Sequence, residues 1–344
     1  MSVLRRTIRY SLAATILASG VGVAAAQSVE EFYRGKMLNM IVFTSPGGAN
    51  DAMARLIAQH IGRHIPGRPN ISVQNMSGAG GLRAANYLYK VAPRDGTVLG
   101  TINRPTAFAP LEGVKEAEFD PLKYNWLGSA AKDILIGVTW HTSPVKTLRD
   151  AQTTEVTIGA DGPSADLGRL PLAINATVGT KFKMVFGYPG GTDVLLAMER
   201  GEIGGRVGWS YDSVLAQRAE WLKDKKINFL LQAGLTRDPR LPETPSIIDY
   251  AKSDIDRQVL ELMFLSYEMS RPYLLPPDVP ADRVGAMKAA FAETLRDEAF
   301  LADARKAPMP IDYITGEQVA DLIRRADAAP PAVIERMRAI LAVR

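Results

Sequence analysis

The apolar positions along the chain follow two alternating patterns. Residues 38–44 make a short, almost continuous apolar run, as expected of a strand buried on both faces of a parallel sheet, and the Ser45-Pro46-Gly47-Gly48-Ala49-Asn50 segment after it is turn-forming. From Asp51 the period changes. Met53, Leu56, Ile57, Ile61 and Ile65 recur three and four residues apart, one stripe of a helix laid on a sheet, and Pro66-Gly67 stops it. The unit then repeats with a strand at 71–74, the loop Asn75-Met76-Ser77-Gly78-Ala79-Gly80-Gly81, a helix at 82–91, a Pro93-Arg94-Asp95-Gly96 turn and a strand at 97–102. A second series places strands at 134–140, 156–160, 183–188 and 229–233, with helices between them. Strands alternating with helices predict an α/β fold with mainly parallel sheets flanked by helices.

Two irregular stretches are the candidate crossings between these series: 110–128, which carries Asp120-Pro121, and 237–245, which holds three prolines. Residues 271–277 predict a strand leaving into a turn, and the tail beyond is mostly amphipathic helix, expected to pack back on the first domain. The expected division is therefore a discontinuous first domain at 27–127 plus 247–344 and a second domain at 128–246. A chain of this length exceeds what one core usually serves.

The N-terminus changes the charge balance. Arg5, Arg6 and Arg9 precede an apolar core at 12–23, and Ala24-Ala25-Ala26 before Gln27 fits a small-residue cleavage site, so residues 1–26 read as a secretory signal peptide cut between Ala26 and Gln27. The paired arginines alone are a weak twin-arginine signal, and a Sec route is expected. No later apolar run reaches the ~20 residues of a membrane span. Loss of three leader arginines leaves 38 basic against 37 acidic residues. The mature chain is nearly neutral and has no basic run with interleaved aromatics, which argues against a nucleic-acid partner. With no cysteine there is no disulfide, thiolate metal site, catalytic thiol or lipid-modified N-terminus. A freely soluble exported monomer without cofactor is expected.

The chemistry points to the strand-to-helix loops. In an open α/β sheet ligands bind at the carboxyl ends of the strands, and glycine-rich loops opening helices present unpaired N–H groups of partial positive charge. Pro46, Gly47, Gly48, Ala49, Asn50 and Asp51 form one such loop, and Ser77, Gly78, Ala79, Gly80 and Gly81 a second. Neither matches a nucleotide-binding glycine motif; both suit a carboxylate or phosphate. The second series offers Ser164 and Asp166 after one strand, and Tyr188, Gly190, Gly191, Thr192 and Asp193 after another, so one cradle per domain would enclose a cleft. Several of these polar residues also suit helix capping. Asn103, Arg104 and Thr106 follow the third strand, where the Arg104 fork can reach a cleft carboxylate or serve the fold. The charges of 200–206 read as solvated. His60 and His64 have a zinc-clamp spacing without the glutamate of a HExxH motif, and no Gly-x-Ser-x-Gly elbow is present, so neither metal binding nor catalysis is expected.

These residues together carry a resemblance: Pro46-Gly47-Gly48 with Asp51 and Ala54-Arg55, Asn75 with Gly78-Ala79-Gly80-Gly81, Asp95-Gly96, Gly187-Tyr188-Pro189-Gly190, and 274–280 with the helix after it. The chain resembles the substrate-binding receptors of tripartite tricarboxylate transporters, the TctC or Bug family, over nearly all its mature length. The resemblance implies a Venus-flytrap periplasmic binding protein whose two α/β domains hinge on crossing strands. It also implies a small carboxylate ligand and partnership with a small and a large membrane subunit. One ligand carboxylate would be held by loops 46–51 and 77–81, largely through backbone N–H groups and water, and the far end selected by Ser164, Asp166 and 188–193. Asn50 stands where many relatives have serine, threonine or tyrosine, and Arg104 where they have small polar residues. Two other readings are a periplasmic sensing module for a signalling partner and an exported lyase or isomerase using Asp51, Asp166 or Asp193 as base.

Overall fold

The structure, a computed structural model, describes residues 27–161, 166–306 and 309–342. The expected signal peptide and Ser164 lie outside the described residues.

The chain begins with α1 (Val29–Tyr33), β1 (Met37–Val42), α2 (Ala49–Ile61), β2 (Asn70–Asn75), α3 (Leu82–Lys90), β3 (Val98–Thr101) and β4 (Asn125–Ser129). It continues through β5 (Leu135–Trp140), α4 (Leu148–Thr153), β6 (Val156–Gly159), α5 (Asp166–Val178), β7 (Phe182–Val185), α6 (Gly191–Glu199), β8 (Gly205–Ser210), α7 (Tyr211–Gln217), α8 (Ala219–Lys223) and β9 (Ile227–Ala233). The tail contributes α9 (Asp254–Glu268), β10 (Pro272–Leu275), α10 (Ala281–Thr294), α11 (Glu298–Lys306), β11 (Ile314–Thr315), α12 (Gly316–Asp327) and α13 (Pro331–Leu341).

Two sheets define two lobes. The first has the order β11-β4-β10-β3-β1-β2 and the second β7-β6-β8-β5-β9. The βαβ units pair in parallel, β1 with β2 and β3 in the first lobe and β6 with β7 and β8 in the second. Strands that carry the chain into or out of a lobe add antiparallel pairings inside each sheet: β10 pairs this way with β3 and β4, and β5 with β8 and β9.

Residue period decides which face each side chain occupies. Along β1, Leu38, Met40 and Val42 enter a core with Met53, Ile57 and Ile61 of α2, whereas Ile41 and the following Phe43 enter a different one with Ala84 and Leu88 of α3. The expected α2 stripe is buried throughout, Ile65 included. The helix itself ends at Ile61, and Ile65 is buried from the turn that follows.

One hydrophobic cluster runs through both lobes, joining Ile41 and Phe43 to Ile158, Val207 and Leu231 by way of α5, α9 and α13. In the tail, α10 and α11 pack on α2, α12 packs on β4, and α13 lies against α5 of the second lobe. The chain passes between the sheets at 130–134. The proline-rich stretch 237–245, expected to form a crossing, follows β9 on the way back to the first sheet and is tied to that strand. The Gln232 side-chain amide donates to the carbonyls of Leu241 and Thr244 and its oxygen accepts from the Asp238 N–H. Among the described residues no helix is long and apolar enough to cross a membrane.

Candidate functional site

Register brings the loops together. Val42 of β1 lies level with Asn75 of β2 on one side and Thr101 of β3 on the other, so the loops after all three strands leave the same sheet edge.

The first of these loops is braced from inside. Asp51 is only 2% exposed. Its carboxylate accepts from the Gly47 N–H at 2.8 Å, from Arg55 Nε at 2.9 Å and from Asn75 Nδ2 at 2.8 Å. Asn75 also donates to the Thr44 carbonyl and accepts from Arg55 Nη2. Burial pushes the Asp51 carboxyl up, but donation from Arg55, Gly47 and Asn75 outweighs it and holds the group at about 2. Asp51 thus shapes the loop, with its oxygens committed inside it. Gly47 needs its positive φ of 90° to make the turn. Gly48, the residue before α2, has no side chain to cap the helix start near Ala49 and Asn50.

The second loop rests on the third. Gly78, Ala79, Gly80 and Gly81 all have positive φ. Thr106 Oγ1 donates to the Gly80 carbonyl at 3.0 Å, and Asn103 Nδ2 reaches it at 3.4 Å. A Cβ at Gly81 would approach Thr106 Oγ1 to 3.1 Å and Asn103 Cβ to 3.2 Å. Asn103 and Thr106 therefore buttress the glycine turn, while Ser77 is exposed at its start.

In the second lobe Gly159 of β6 lies level with Val185 of β7, and β8 flanks β6 on its other side. The loops after β6 and β7 leave side by side. Tyr188 donates its N–H to the Ala160 carbonyl at 3.3 Å. Extended Gly190 precedes α6 without a side-chain cap, and Gly191, Thr192 and Asp193 form its first turn.

Arg104 joins the two edges. Its guanidinium pairs with Asp166 at the start of α5, at 3.1 Å from Nε and 2.7 Å from Nη2, and with Asp133 in the crossing segment. Ser270 Oγ accepts from Nη1 at 3.2 Å, and the Tyr267 ring lies 5.0 Å from Cζ. Ser210 and Ser270 donate to Asp133 at 2.9 and 2.6 Å. Burial alone would weaken the Arg104 hold on its proton; Asp166 and Asp133 reverse this and raise its pKa. Arg104 and Asp166, expected to meet a solute from opposite sides, are paired with each other. A second bridge between the lobes is the two-pronged pair of Arg169 on α5 with Glu112.

Sequence reasoning missed β8 and with it Arg206. Arg200 and Glu202 are exposed and pair with each other, as solvated charges do. Arg206 differs, because β8 directs it beneath α6. Its Nη1 donates to the Gly191 carbonyl at 3.0 Å, its Cζ lies 5.1 Å from the Trp209 ring, and a Cβ on Gly191 would come within 2.5 Å of Nη2. Among the described residues the buried Nε has no hydrogen-bond partner. Burial lowers the Arg206 pKa to about 10 against the attraction of Asp161. The one sequence signal was an apolar-and-glycine alternation around a single arginine, Gly205-Arg206-Val207-Gly208-Trp209. His60 and His64 pair with Asp303 and Asp297.

No protein-family model and no curated protein matches the chain. Solved structures do. A TctC solute-binding protein from Polaromonas, without ligand, superposes with a TM-score of 0.66 over 90% of this chain and 98% of its own at 17% identity. The fold is that of a periplasmic solute-binding protein. The periplasmic binding protein BugD aligns with a TM-score of 0.64 over 90% of this chain and 98% of its own at 14% identity. MatC from Rhodopseudomonas palustris, solved with bound malate, aligns at 0.62 over 89% and 99% at 17% identity. The two-sheet α/β architecture of the TctC and Bug structures thus spans the described chain almost end to end.

Proposed function

We propose that the protein is a periplasmic receptor that closes on a small carboxylate between its lobes and hands it to the small and large membrane subunits of a tripartite tricarboxylate-type transporter. The observation that carries this reading is the pair of glycine loops at the carboxyl edge of β1 and β2, with Asp51 turned inward so that the cradle offers helix-start N–H groups instead of a carboxylate. Pro46 to Asn50 and Ser77 to Gly81 hold one carboxylate, and Tyr188 to Asp193 face the other end. Hydrogen bonds to a charged group contribute about 1.5–3 kcal/mol each. Three or four of them offset ordering costs to leave about −8 kcal/mol, or roughly micromolar affinity.

No bond need be made or broken. Asp51, held at about 2 and surrounded by donors, is a poor base near neutral pH, and Asp166 is paired with Arg104. Export through a leader cut before Gln27 and a monomeric state complete the reading.

The test is a thermal-shift screen of the protein from Gln27 onward against mono-, di- and tricarboxylates, amino acids and uncharged analogues, with calorimetry on any hit. A carboxylate that binds one-to-one and is recovered unchanged is the expected result. Turnover of the hit revives the enzyme reading, and a response only to neutral compounds ends the carboxylate one.

A further inference from the structure

Two ion pairs cross the seam between the lobes, and their polarities are reversed. The first lobe sends Arg104 to Asp166 and, further along the same segment, Glu112 to Arg169. Asp166 and Arg169 both stand in the opening turn of α5, at the spacing that places two side chains on one helix face. A slip of one segment along the other would bring Arg104 toward Arg169 and Glu112 toward Asp166, like charge against like. The alternation accepts one register.

The pairs are also shut away from water. The side chains of Glu112 and Arg169 are 9% and 13% exposed, and Arg169 Nη1 donates to Glu112 Oε2 at 2.9 Å beside the second prong of the pair. Phe108 and Leu111 of the first lobe, Met263 of α9 and Met337 of α13 close around them, and the space left is about 10 Å³, no more than a single water occupies. A buried cation without a partner is costly, so a cleft whose arginine waits for a solute anion resists closing while it is empty. Here the chain supplies the acids itself, and both seam arginines are answered before any solute arrives.

We propose that the two reciprocal pairs are a latch that lets the lobes rest closed without solute. Asp166 and Glu112 do for the seam what a bound anion would otherwise have to do, and the apolar residues around them favour the shut form once the charges are matched. Solute enters through an opening that parts both pairs. The latch acts whatever solute the cleft takes.

The experiment is small-angle X-ray scattering on the protein from Gln27 onward, refolded from denaturant to strip any retained solute and measured with none added. Wild type is compared with Glu112→Met, Glu112→Arg and the charge swap Glu112→Arg with Arg169→Glu. Wild type should scatter as this structure does, with the radius of gyration of about 20 Å expected of a compact chain of this length. Glu112→Met strands Arg169 in the closed form and should move the closed-to-open ratio by about a hundredfold or more, read as a larger radius and a longer maximum dimension. Glu112→Arg should open the lobes further, and the swap should return most of the compactness, which a loss of apolar packing alone would not do. Melting temperatures report whether the variants fold; if Glu112→Arg does not, wild type and Glu112→Met decide. An open wild type, a folded Glu112→Met or Glu112→Arg as compact as wild type, or a swap as open as Glu112→Arg overturns the latch. Each of those results leaves the carboxylate reading standing, and a failure of carboxylates to bind leaves the latch untouched.

Discussion

Replacing Arg104 with methionine would leave the carboxylates of Asp133 and Asp166 together in the seam between the lobes with no cation between them. The Arg104 side chain is 11% exposed, and those of Asp133 and Asp166 are 16% and 24% exposed. Removing one partner from a buried pair costs about 3–5 kcal/mol; the water that reaches Asp166 brings the expectation for Arg104→Met to about 2–4 kcal/mol. Asp166→Asn removes one of two carboxylates and should cost less. Combined, the two substitutions should be milder than the sum of their separate effects by about 1–3 kcal/mol, because the double variant no longer strands Asp166. Urea unfolding at neutral pH on the four proteins of this cycle measures that coupling. Additivity to within about 0.5 kcal/mol would refute the pairing, and so would a coupling that high salt abolishes, since that behaviour marks an exposed pair.

Asp51 gives a pH test. Its carboxyl, near 3.8 in the unfolded chain, is held at about 2 in the fold, so its contribution to stability is present above pH 4 and is lost as pH falls through 2. The gap corresponds to about 2 kcal/mol, reduced to about 1 kcal/mol by the water around half-exposed Arg55. Asp51→Asn should therefore lower stability by about 1 kcal/mol at pH 7, with the difference from wild type narrowing toward pH 3 in denaturant titrations; a difference that stays constant with pH argues against this role. Gly81→Ala places a Cβ on a residue with φ of 103° and 3.1 Å from Thr106. It should cost about 1–2 kcal/mol in urea unfolding and weaken ligand binding in calorimetry through the displaced loop; unchanged affinity would remove that loop from the site.

The first lobe was the more legible in the sequence. Residues 38–44, the Met53-to-Ile61 stripe and the two glycine loops each declare themselves within a dozen residues, because local period and turn chemistry act over that range. What stayed hidden depended on distance or on brevity. Strands β4 and β8 are short runs of five and six residues that each carry glycine and a single tryptophan, and they are strands because neighbouring strands offer them an edge. Arg104 read equally well as a ligand contact or a structural group. Its partner Asp166 lies 62 residues away, and Asp133 had no signal beyond being a polar residue before an apolar run. Asp51 reads from the sequence as a ligand contact or a helix cap, and whether its carboxylate faces outward or braces its own turn is decided by Asn75 and Arg55, which only the folded chain brings to it.

The place of β10 in the first sheet sets an order of assembly. Strands β3 and β4 follow each other in sequence but are not neighbours, because β10 lies between them. The second sheet draws all its strands from one continuous stretch, 135–233, and has every strand it needs while the last hundred residues are still to come. The first sheet has its glycine-loop strands early, yet stays divided into β1–β3 on one side and β4 on the other until Pro272–Leu275 arrives to join them. A chain ending short of Pro272 would thus possess both halves of the cleft's lining without the strand that fixes β3 to β4, and such a fragment is the species in which unpaired strand edges would be open to other chains.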